Sequence, residues 1–205
     1  RRWGYLAGDD STRNKDLHPV KPVPLTIFAR GGWGAARLLE LPQKWNQGWL
    51  VGYSDITSLL WARLKSGFDG NVHGPLLSSL SSEPTWSQER LRALLFGEPI
   101  TKLEGEGWSQ GIADGPLIVG NLTVASHLLG SNFIPNLHKA ILIIEDIGEE
   151  PYRVDRMLTH WRLTGLLQGL SGLGFGCFRE CESTDEIPVE KTFQLEQVLK
   201  ERSKD

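Results

Sequence analysis

The stretch from residue 49 to residue 64 constrains the fold most, because its hydrophobic pattern changes period part-way along. Residues 49–51 are an apolar run that predicts a buried strand, and a Gly-Tyr-Ser turn follows at 52–54. After Asp55 the apolar side chains recur at helical spacing, at Ile56, Leu59, Leu60 and Leu64. A strand followed directly by a helix is the repeating unit of a parallel α/β sheet.

Ser54 lies in the turn between this strand and this helix, which is where the nucleophile elbow holds a catalytic serine. Such a turn raises the serine oxygen clear of the sheet, and the backbone N–H groups that open the next helix can stabilise an oxyanion. The elbow formula also requires a glycine two residues after the serine, where this chain has Ile56. The alternative is that Ser54 and Asp55 only cap the helix, and the local pattern leaves both interpretations open.

The composition excludes several classes of protein. A chain of 205 residues with 40% hydrophobic and 23% charged residues is a globular protein of one large domain or two small ones. Its net charge of −3 predicts no nucleic-acid partner and no anionic membrane partner, and no apolar run approaches the roughly 18 residues of a membrane span. The two cysteines, Cys177 and Cys181, are too few for a disulfide scaffold and have no nearby histidine for a zinc site. We therefore expect no metal.

The order of the predicted elements indicates an α/β fold with two domains and a glycine-rich linker. We place an N-terminal α/β domain at 1–98, the linker at 99–115 and the first part of a C-terminal α/β domain at 116–205. Strands are predicted at 25–29, 49–51 and 71–75, at 100–103 within the linker, and at 116–120, 140–144 and 174–178. The last helix is predicted at about 192–202.

A glycine-rich turn, Arg-Gly-Gly-Trp-Gly at 30–34, follows the first strand and is predicted to open a helix. Backbone N–H groups in such a turn bind anions. A nucleotide-phosphate cradle is one interpretation, but the glycines do not fit G-x-G-x-x-G and no Gly-Lys-Ser/Thr follows. The other is a backbone-donor site beside the serine turn, since consecutive strand–helix units of a parallel sheet place their loops at the same edge.

Six short motifs occur in one order across nearly the whole chain. They are Tyr-Leu-Ala-Gly-Asp-Asp at 5–10, Arg-Gly-Gly-Trp-Gly at 30–34, Gly-Tyr-Ser-Asp at 52–55, His-Gly-Pro at 73–75, Gly-Asn-Leu at 120–122 and Glu-Asp-Ile-Gly-Glu at 145–149. In this order the chain resembles the LD-carboxypeptidases, a serine peptidase family that also holds the microcin C immunity peptidases. The resemblance implies a Rossmann- or flavodoxin-like parallel-sheet domain at the N-terminus and an α/β domain, incomplete here, at the C-terminus.

The resemblance also implies the roles of four residues. Ser54 would be the nucleophile and Glu145 the acid of a Ser-His-Glu triad, while the backbone amides of Gly32 and Asp55 would form the oxyanion hole. These residue types fit the chemistry, because a serine hydroxyl needs a base to take its proton and the base needs a carboxylate to hold its tautomer. No cofactor is implied. We expect Ser54 and Glu145 to face one cleft.

The activity implied by the resemblance is hydrolysis of the amide before a terminal D-amino acid, typically D-alanine of murein tetrapeptides in peptidoglycan recycling. The partner is then a small peptide or muropeptide, with no nucleic acid and no membrane, and the protein is a cytoplasmic homodimer. One alternative is a microcin C immunity-type peptidase, which cleaves a peptide–nucleotide conjugate.

The other alternative is a non-catalytic remnant or binding protein, and it follows from the family's base. That base is a histidine in a glycine-rich segment, and the five histidines of this chain match other family positions; they are His18, His73, His127, His138 and His160. We therefore expect the chain to be a fragment that lacks both ends, with the base beyond residue 205. By itself it is expected to be inactive.

Overall fold

The computed structural model describes residues 8–183 and 194–204. Within this part the chain forms two compact units. The first contains the described residues up to Glu104 together with Gly130–Pro135, and the second contains Gly105–Leu129 and the described residues from Asn136 onward. Each unit is built around its own parallel sheet.

The first unit has a three-stranded parallel sheet in the order β1-β2-β3. Its elements are α1 (Asp10–Leu17), β1 (Leu25–Ile27), β2 (Trp49–Gly52), α2 (Thr57–Lys65), β3 (Asn71–His73) and α3 (Thr85–Phe96). Thr26 lies opposite Leu50 in β2, and Val51 lies opposite Val72 in β3. The apolar run at 49–51 therefore forms the middle strand, which is where burial on both faces is expected.

The change of period after the serine turn has the predicted structural consequence. A 3-10 turn, Ser54–Ile56, leads into α2, whose apolar residues are buried except Leu64, which is half-buried. Leu59 and Trp61 are among the most deeply buried side chains of the molecule. Because this helix connects two adjacent parallel strands, it must cover one face of the sheet, and its apolar residues supply that layer of the core.

Two elements differ from the prediction. The glycine-rich turn opens a 3-10 helix, Ala36–Glu40, which ends at Leu41 in extended backbone. Pro42 explains the early end, because the residue before a proline is disfavoured in helical conformation. The strand predicted at 100–103 is wrong: the segment has no regular structure, and Ile100 and Leu103 are exposed without a neighbouring strand to pair with.

The second unit repeats the strand–helix pattern with a sheet in the order β4-β5-β6, all parallel. Its elements are β4 (Leu117–Asn121), α4 (Leu122–His127), β5 (Ile141–Ile147), α5 (Pro151–Leu163), β6 (Gly172–Arg179) and α6 (Leu195–Arg202). Leu142 and Ile144 of the middle strand are fully buried, as are Leu158 and Trp161 of α5. Pro151 begins α5, where the missing N–H of a proline costs no helical hydrogen bond.

A β-bulge interrupts the pairing of β5 with β6 near the end of β5. Ile144 lies opposite Phe175, but Asp146 lies opposite Phe178, so Glu145 faces two residues of the partner strand. The extra residue is in β6, and bulges are frequent beside functional sites. The predicted acid Glu145 is the residue at this irregularity.

The predicted α/β class with parallel sheets is confirmed. The predicted domain boundaries remain a prediction, since compactness within one chain does not establish independently folding domains. The predicted start of the last helix, at about residue 192, lies outside the described residues, and the helix is observed over Leu195–Arg202. No helix in the described ranges is long and apolar enough to cross a membrane.

Candidate active site

Ser54 has a backbone conformation that non-glycine residues rarely adopt. It directly follows β2 with a φ of 62°, after Tyr53 in extended backbone with φ −144° and ψ −176°. A non-glycine residue at positive φ costs on the order of 1–3 kcal/mol, and such residues concentrate at functional sites. Strand, strained serine and helix together form the geometry of a nucleophile elbow.

The capping interpretation of this turn is wrong. Tyr53 is the N-cap residue of the 3-10 turn and Ile56 that of α2. The side chain of neither residue accepts a capping hydrogen bond from the helix backbone. The carboxylate of Asp55 instead accepts a hydrogen bond from the backbone N–H of Ala35, 20 residues earlier in the chain. The Ser54–Asp55 pair therefore serves the turn and the neighbouring loop rather than the helix end.

Ile56 takes the position where the elbow formula has its second glycine, and the structure explains how it fits. A Cβ atom added to Gly52 would lie 2.8 Å from Cγ2 of Ile56 and 3.1 Å from Cδ2 of Phe28. Real Cβ atoms do not approach this closely, so Gly52 alone provides the space that the tight turn needs. The absent second glycine therefore does not count against an elbow.

The glycine-rich loop lies against the serine. A Cβ atom on Gly31 would be 3.2 Å from Cβ and 3.5 Å from Oγ of Ser54. Gly32, the next residue, has a φ of 112°, which strains any residue with a side chain. The structure thus brings three of the predicted site residues together in the first unit: Ser54, Asp55 and, one residue from the contact, Gly32.

Two side chains hold the end of this loop. Oδ2 of the buried Asp55 accepts a hydrogen bond of 2.8 Å from N–H of Ala35, and Nη1 of Arg13 donates one of 3.1 Å to the carbonyl oxygen of Gly34. Burial raises the pKa of the Asp55 carboxyl, and the hydrogen bond from Ala35 opposes that rise. Together these contacts restrain the backbone next to the donors predicted for the oxyanion hole.

An ion-pair cluster on α1 in turn supports Arg13. Asp10 accepts from Arg13 at 3.3 Å and from Arg37 at 2.6 Å and 3.0 Å. The hydrogen bond from Arg37 holds the pKa of the Asp10 carboxyl below its ordinary value. Asp10 is in the first motif of the resemblance, but nothing in the sequence indicated that it acts on the glycine-rich loop through Arg13.

His73 is the histidine that lies beside the serine turn in the sheet. It pairs with Gly52 across β2 and β3, and its ring packs edge-on against Tyr53 with 6.0 Å between the ring centres. This contact gives His73 a packing role beside the serine turn.

In the second unit Glu145 and Asp146 have different surroundings. Glu145 is half-buried opposite the bulge, and a Cβ atom on Gly176 would lie 3.2 Å from the Cβ atom of Glu145, which is a tight contact. Asp146 is buried. The hydrophobic pattern alone does not distinguish these two carboxylates, because both directly follow the apolar run of one strand.

The Asp146 carboxylate is held by hydrogen bonds within the unit. Oδ1 accepts from Nδ2 of Asn121 at 3.0 Å and from N–H of Ile147 at 2.9 Å. Oδ2 accepts from both N–H and Oγ1 of Thr123, each at 2.8 Å. Asn121 also caps α4 by accepting from N–H of Val124. Asp146 therefore joins the ends of β4 and β5 to the start of α4, a structural role that the sequence analysis missed.

The described residues contain no cluster of three or more histidine, cysteine, aspartate or glutamate side chains placed to hold a metal ion. Cys177 is exposed and Cys181 is buried, both as thiols. Burial raises the pKa of the Cys181 thiol. This thiol donates to the carbonyl oxygen of Arg179, which also accepts a hydrogen bond from N–H of Gly148, just after β5.

Sequence profiles of one family match both parts of the chain. The profile described as the LD-carboxypeptidase N-terminal domain matches residues 1–74, and that of the LD-carboxypeptidase C-terminal domain matches residues 114–205. A protein of Synechocystis sp., provisionally named a carboxypeptidase, is 45% identical over 98% of this chain and 67% of its own length. The chain belongs to the LD-carboxypeptidase family.

Solved structures agree with membership of the LD-carboxypeptidase family. The crystal structure of muramoyltetrapeptide carboxypeptidase from Oxalobacter formigenes matches with a TM-score of 0.80 and 27% identity, over 95% of this chain and 70% of that chain. Microcin C7 self immunity protein MccF in complex with aspartyl sulfamoyl adenosine matches with a TM-score of 0.73 and 20% identity, over 94% and 67%. At 20% identity the second likeness shows the fold alone. The chain spans about two thirds of the length of these relatives.

Proposed function

We propose that this protein is a serine-type LD-carboxypeptidase that releases the terminal D-alanine from murein tetrapeptides. The observation that carries the proposal is the strained Ser54 at the end of β2, with the glycine-rich loop packed against its side chain. The similarity to the Oxalobacter formigenes protein, a muramoyltetrapeptide carboxypeptidase, supports this substrate class.

The reaction begins when Oγ of Ser54 attacks the carbonyl carbon of the amide before the terminal D-alanine, while a histidine base takes the hydroxyl proton. The N–H groups of Gly32 and Asp55 donate hydrogen bonds to the oxyanion of the tetrahedral intermediate, and each such donor contributes about 10²–10³-fold in rate. The base then protonates the leaving amine. D-alanine departs, and water hydrolyses the ester on Ser54.

Glu145 is the proposed acid of the triad, which orients the base. Its half-buried position at the bulge supports this role, because Asp146 beside it already accepts four hydrogen bonds within its own unit. A carboxylate committed to the strand ends is a poor partner for a base that must change its charge during turnover.

The test is release of D-alanine from a murein tetrapeptide by the full-length gene product. Ser54→Ala is expected to lower turnover by several orders of magnitude, since loss of one member of a triad typically has that effect. Ser82→Ala is the matched control, because Ser82 is exposed and its hydroxyl donates to the carbonyl oxygen of Ser79 in the same turn. Wild-type turnover by Ser54→Ala would refute the serine-hydrolase proposal.

A second assay separates the rival functions. The same protein is incubated with aspartyl sulfamoyl adenosine, the compound bound in the structure of the microcin immunity protein. If the protein cleaves the conjugate but not the tetrapeptide, and the cleavage requires Ser54, the proposed substrate class is wrong and the proposed serine mechanism stands. Binding of either compound without turnover would favour a non-catalytic protein.

The remaining parts of the proposal are a cytoplasmic location, a homodimer and a role in peptidoglycan recycling. Cell fractionation and the molar mass in solution test the first two parts, and accumulation of tetrapeptide in a deletion strain tests the third.

A further inference from the structure

Three arginines lie on or beside the glycine-rich loop, and two of them have structural partners. Arg13 donates to Gly34 and Asp10, and Arg37 donates to Asp10. Arg30 opens the loop, is exposed, and forms neither a hydrogen bond nor an ion pair through its guanidinium group to any residue within 8–183 and 194–204. Its five N–H donors are therefore available to a ligand.

The guanidinium group of Arg30 lies over the residue proposed as an oxyanion donor. A Cβ atom on Gly32 would be 3.2 Å from Nη2 of Arg30. The absence of a side chain at residue 32 therefore leaves room for the guanidinium group. Gly31, the preceding residue, makes the contact with Ser54. The cation and the serine thus contact adjacent residues of one loop, whose Cα atoms are about 3.8 Å apart.

The substrate of a carboxypeptidase has a matching arrangement of charge. The terminal carboxylate is on the residue directly after the scissile amide, so it lies roughly one residue length, about 3.8 Å, from the carbonyl that the serine attacks. Arginine is well suited to this anion, because its planar group can donate two parallel hydrogen bonds to a carboxylate.

We propose that Arg30 binds the terminal carboxylate of the substrate and thereby restricts hydrolysis to the last residue of the peptide. This inference rests on the function proposed above and adds the residue that makes the enzyme a carboxypeptidase rather than an endopeptidase. A peptide without the terminal negative charge loses the contact and is a poor substrate.

The experiment compares a tetrapeptide ending in D-alanine with the same peptide ending in D-alanine amide. The full-length wild-type protein should have a higher kcat/KM for the acid. Arg30→Gln should lower kcat/KM for the acid by about 10–100-fold, the range of one hydrogen bond to a charged group, and leave the amide unchanged. Arg30→Lys should restore part of the preference, because it keeps the charge but not the paired donors.

Lys44→Gln is the matched control, since it removes an exposed cation of the same unit and should preserve the preference. An equal loss on both peptides, or no loss on either, would overturn the role of Arg30. Equilibrium binding of the two peptides to Ser54→Ala, with and without Arg30→Gln, separates this inference from the proposed function. A preference for the acid that depends on Arg30 would survive there even if Ser54 proved not to be the nucleophile, and its absence would refute the inference alone.

Discussion

Ser54, the proposed nucleophile, has a backbone conformation that disfavours its own side chain. Its φ of 62° favours glycine, yet a glycine would have no hydroxyl. The fold keeps the serine in place through the close packing of Gly52 with Ile56 and of Gly31 with Ser54 itself. Strain retained at one such residue, within a well-packed sheet edge, is typical of a site maintained for function.

This strain predicts that two substitutions at residue 54 differ in their effect on the free energy of unfolding. Ser54→Gly should raise the free energy of unfolding relative to Ser54→Ala by about 1 kcal/mol, because alanine keeps the Cβ atom that disfavours positive φ. Both should lack D-alanine release. Urea denaturation of the two variants measures the difference, and equal midpoints would show that the backbone is relaxed at this residue.

Asp55 should matter for activity through its side chain as well as its amide. Asp55→Ala leaves N–H of Ala35 without its acceptor, so kcat should fall by about 10–100-fold as the donors of the loop lose their placement. Asp55→Asn retains a side-chain oxygen and should recover much of kcat. If the two variants have equal rates, the carboxylate does not position the loop.

The same residue predicts a pH dependence of stability. Burial raises the pKa of Asp55 above that of the unfolded chain, so the folded protein binds the proton more tightly. The contribution of Asp55 to the free energy of unfolding is therefore greatest below the unfolded pKa, near 3.9, and falls as pH rises through the raised folded pKa. Urea denaturation of wild type and Asp55→Asn from pH 4 to pH 7 should show the difference shifting in favour of the variant. A difference that does not change with pH would contradict the raised pKa.

At the scale of the element, the end of β5 has two consecutive carboxylates in different surroundings. The bulge in β6 lies opposite Glu145, which is half-buried, and the carboxylate of the next residue, Asp146, ties together the ends of β4 and β5. Two consecutive acidic residues on a strand point to opposite faces, so only one of them can face any given site.

Replacing each carboxylate should separate the two roles. Asp146→Ala should lower the free energy of unfolding by about 2–4 kcal/mol, because it removes a buried carboxylate that accepts four hydrogen bonds, one of them from the buried Asn121. Glu145→Gln should remain folded and lose turnover. Thermal unfolding and D-alanine release on the same samples provide the comparison, and a Glu145→Gln variant with full kcat would remove Glu145 from the mechanism.

At the scale of the whole molecule, Ser54 and Glu145 belong to different compact units. If both act in the same chemical step, their effects on the rate cannot add, since removal of one member disables the others. The double variant Ser54→Ala/Glu145→Gln should therefore retain the residual kcat of Ser54→Ala alone. Multiplied losses in the double variant would indicate that the two residues act independently.

The sequence by itself determined most of the strands and helices of this protein, together with the serine turn and the glycine-rich loop. The change of period around Ser54, the apolar runs of the strands and the glycine-rich loop depend on neighbouring residues, so they can be recognised without a fold. The order of the motifs added the family, which the comparisons then showed.

Only the tertiary structure decided which polar groups are committed to the fold. The hydrogen bond of Asp55 to Ala35 and that of Arg13 to Gly34 join residues about twenty positions apart, and that of Asp146 to Asn121 crosses two strands. No local pattern encodes such pairs, because a partner is chosen by the packing of whole elements against one another. For the same reason the available donors of Arg30 became visible only once the partners of Arg13 and Arg37 were known.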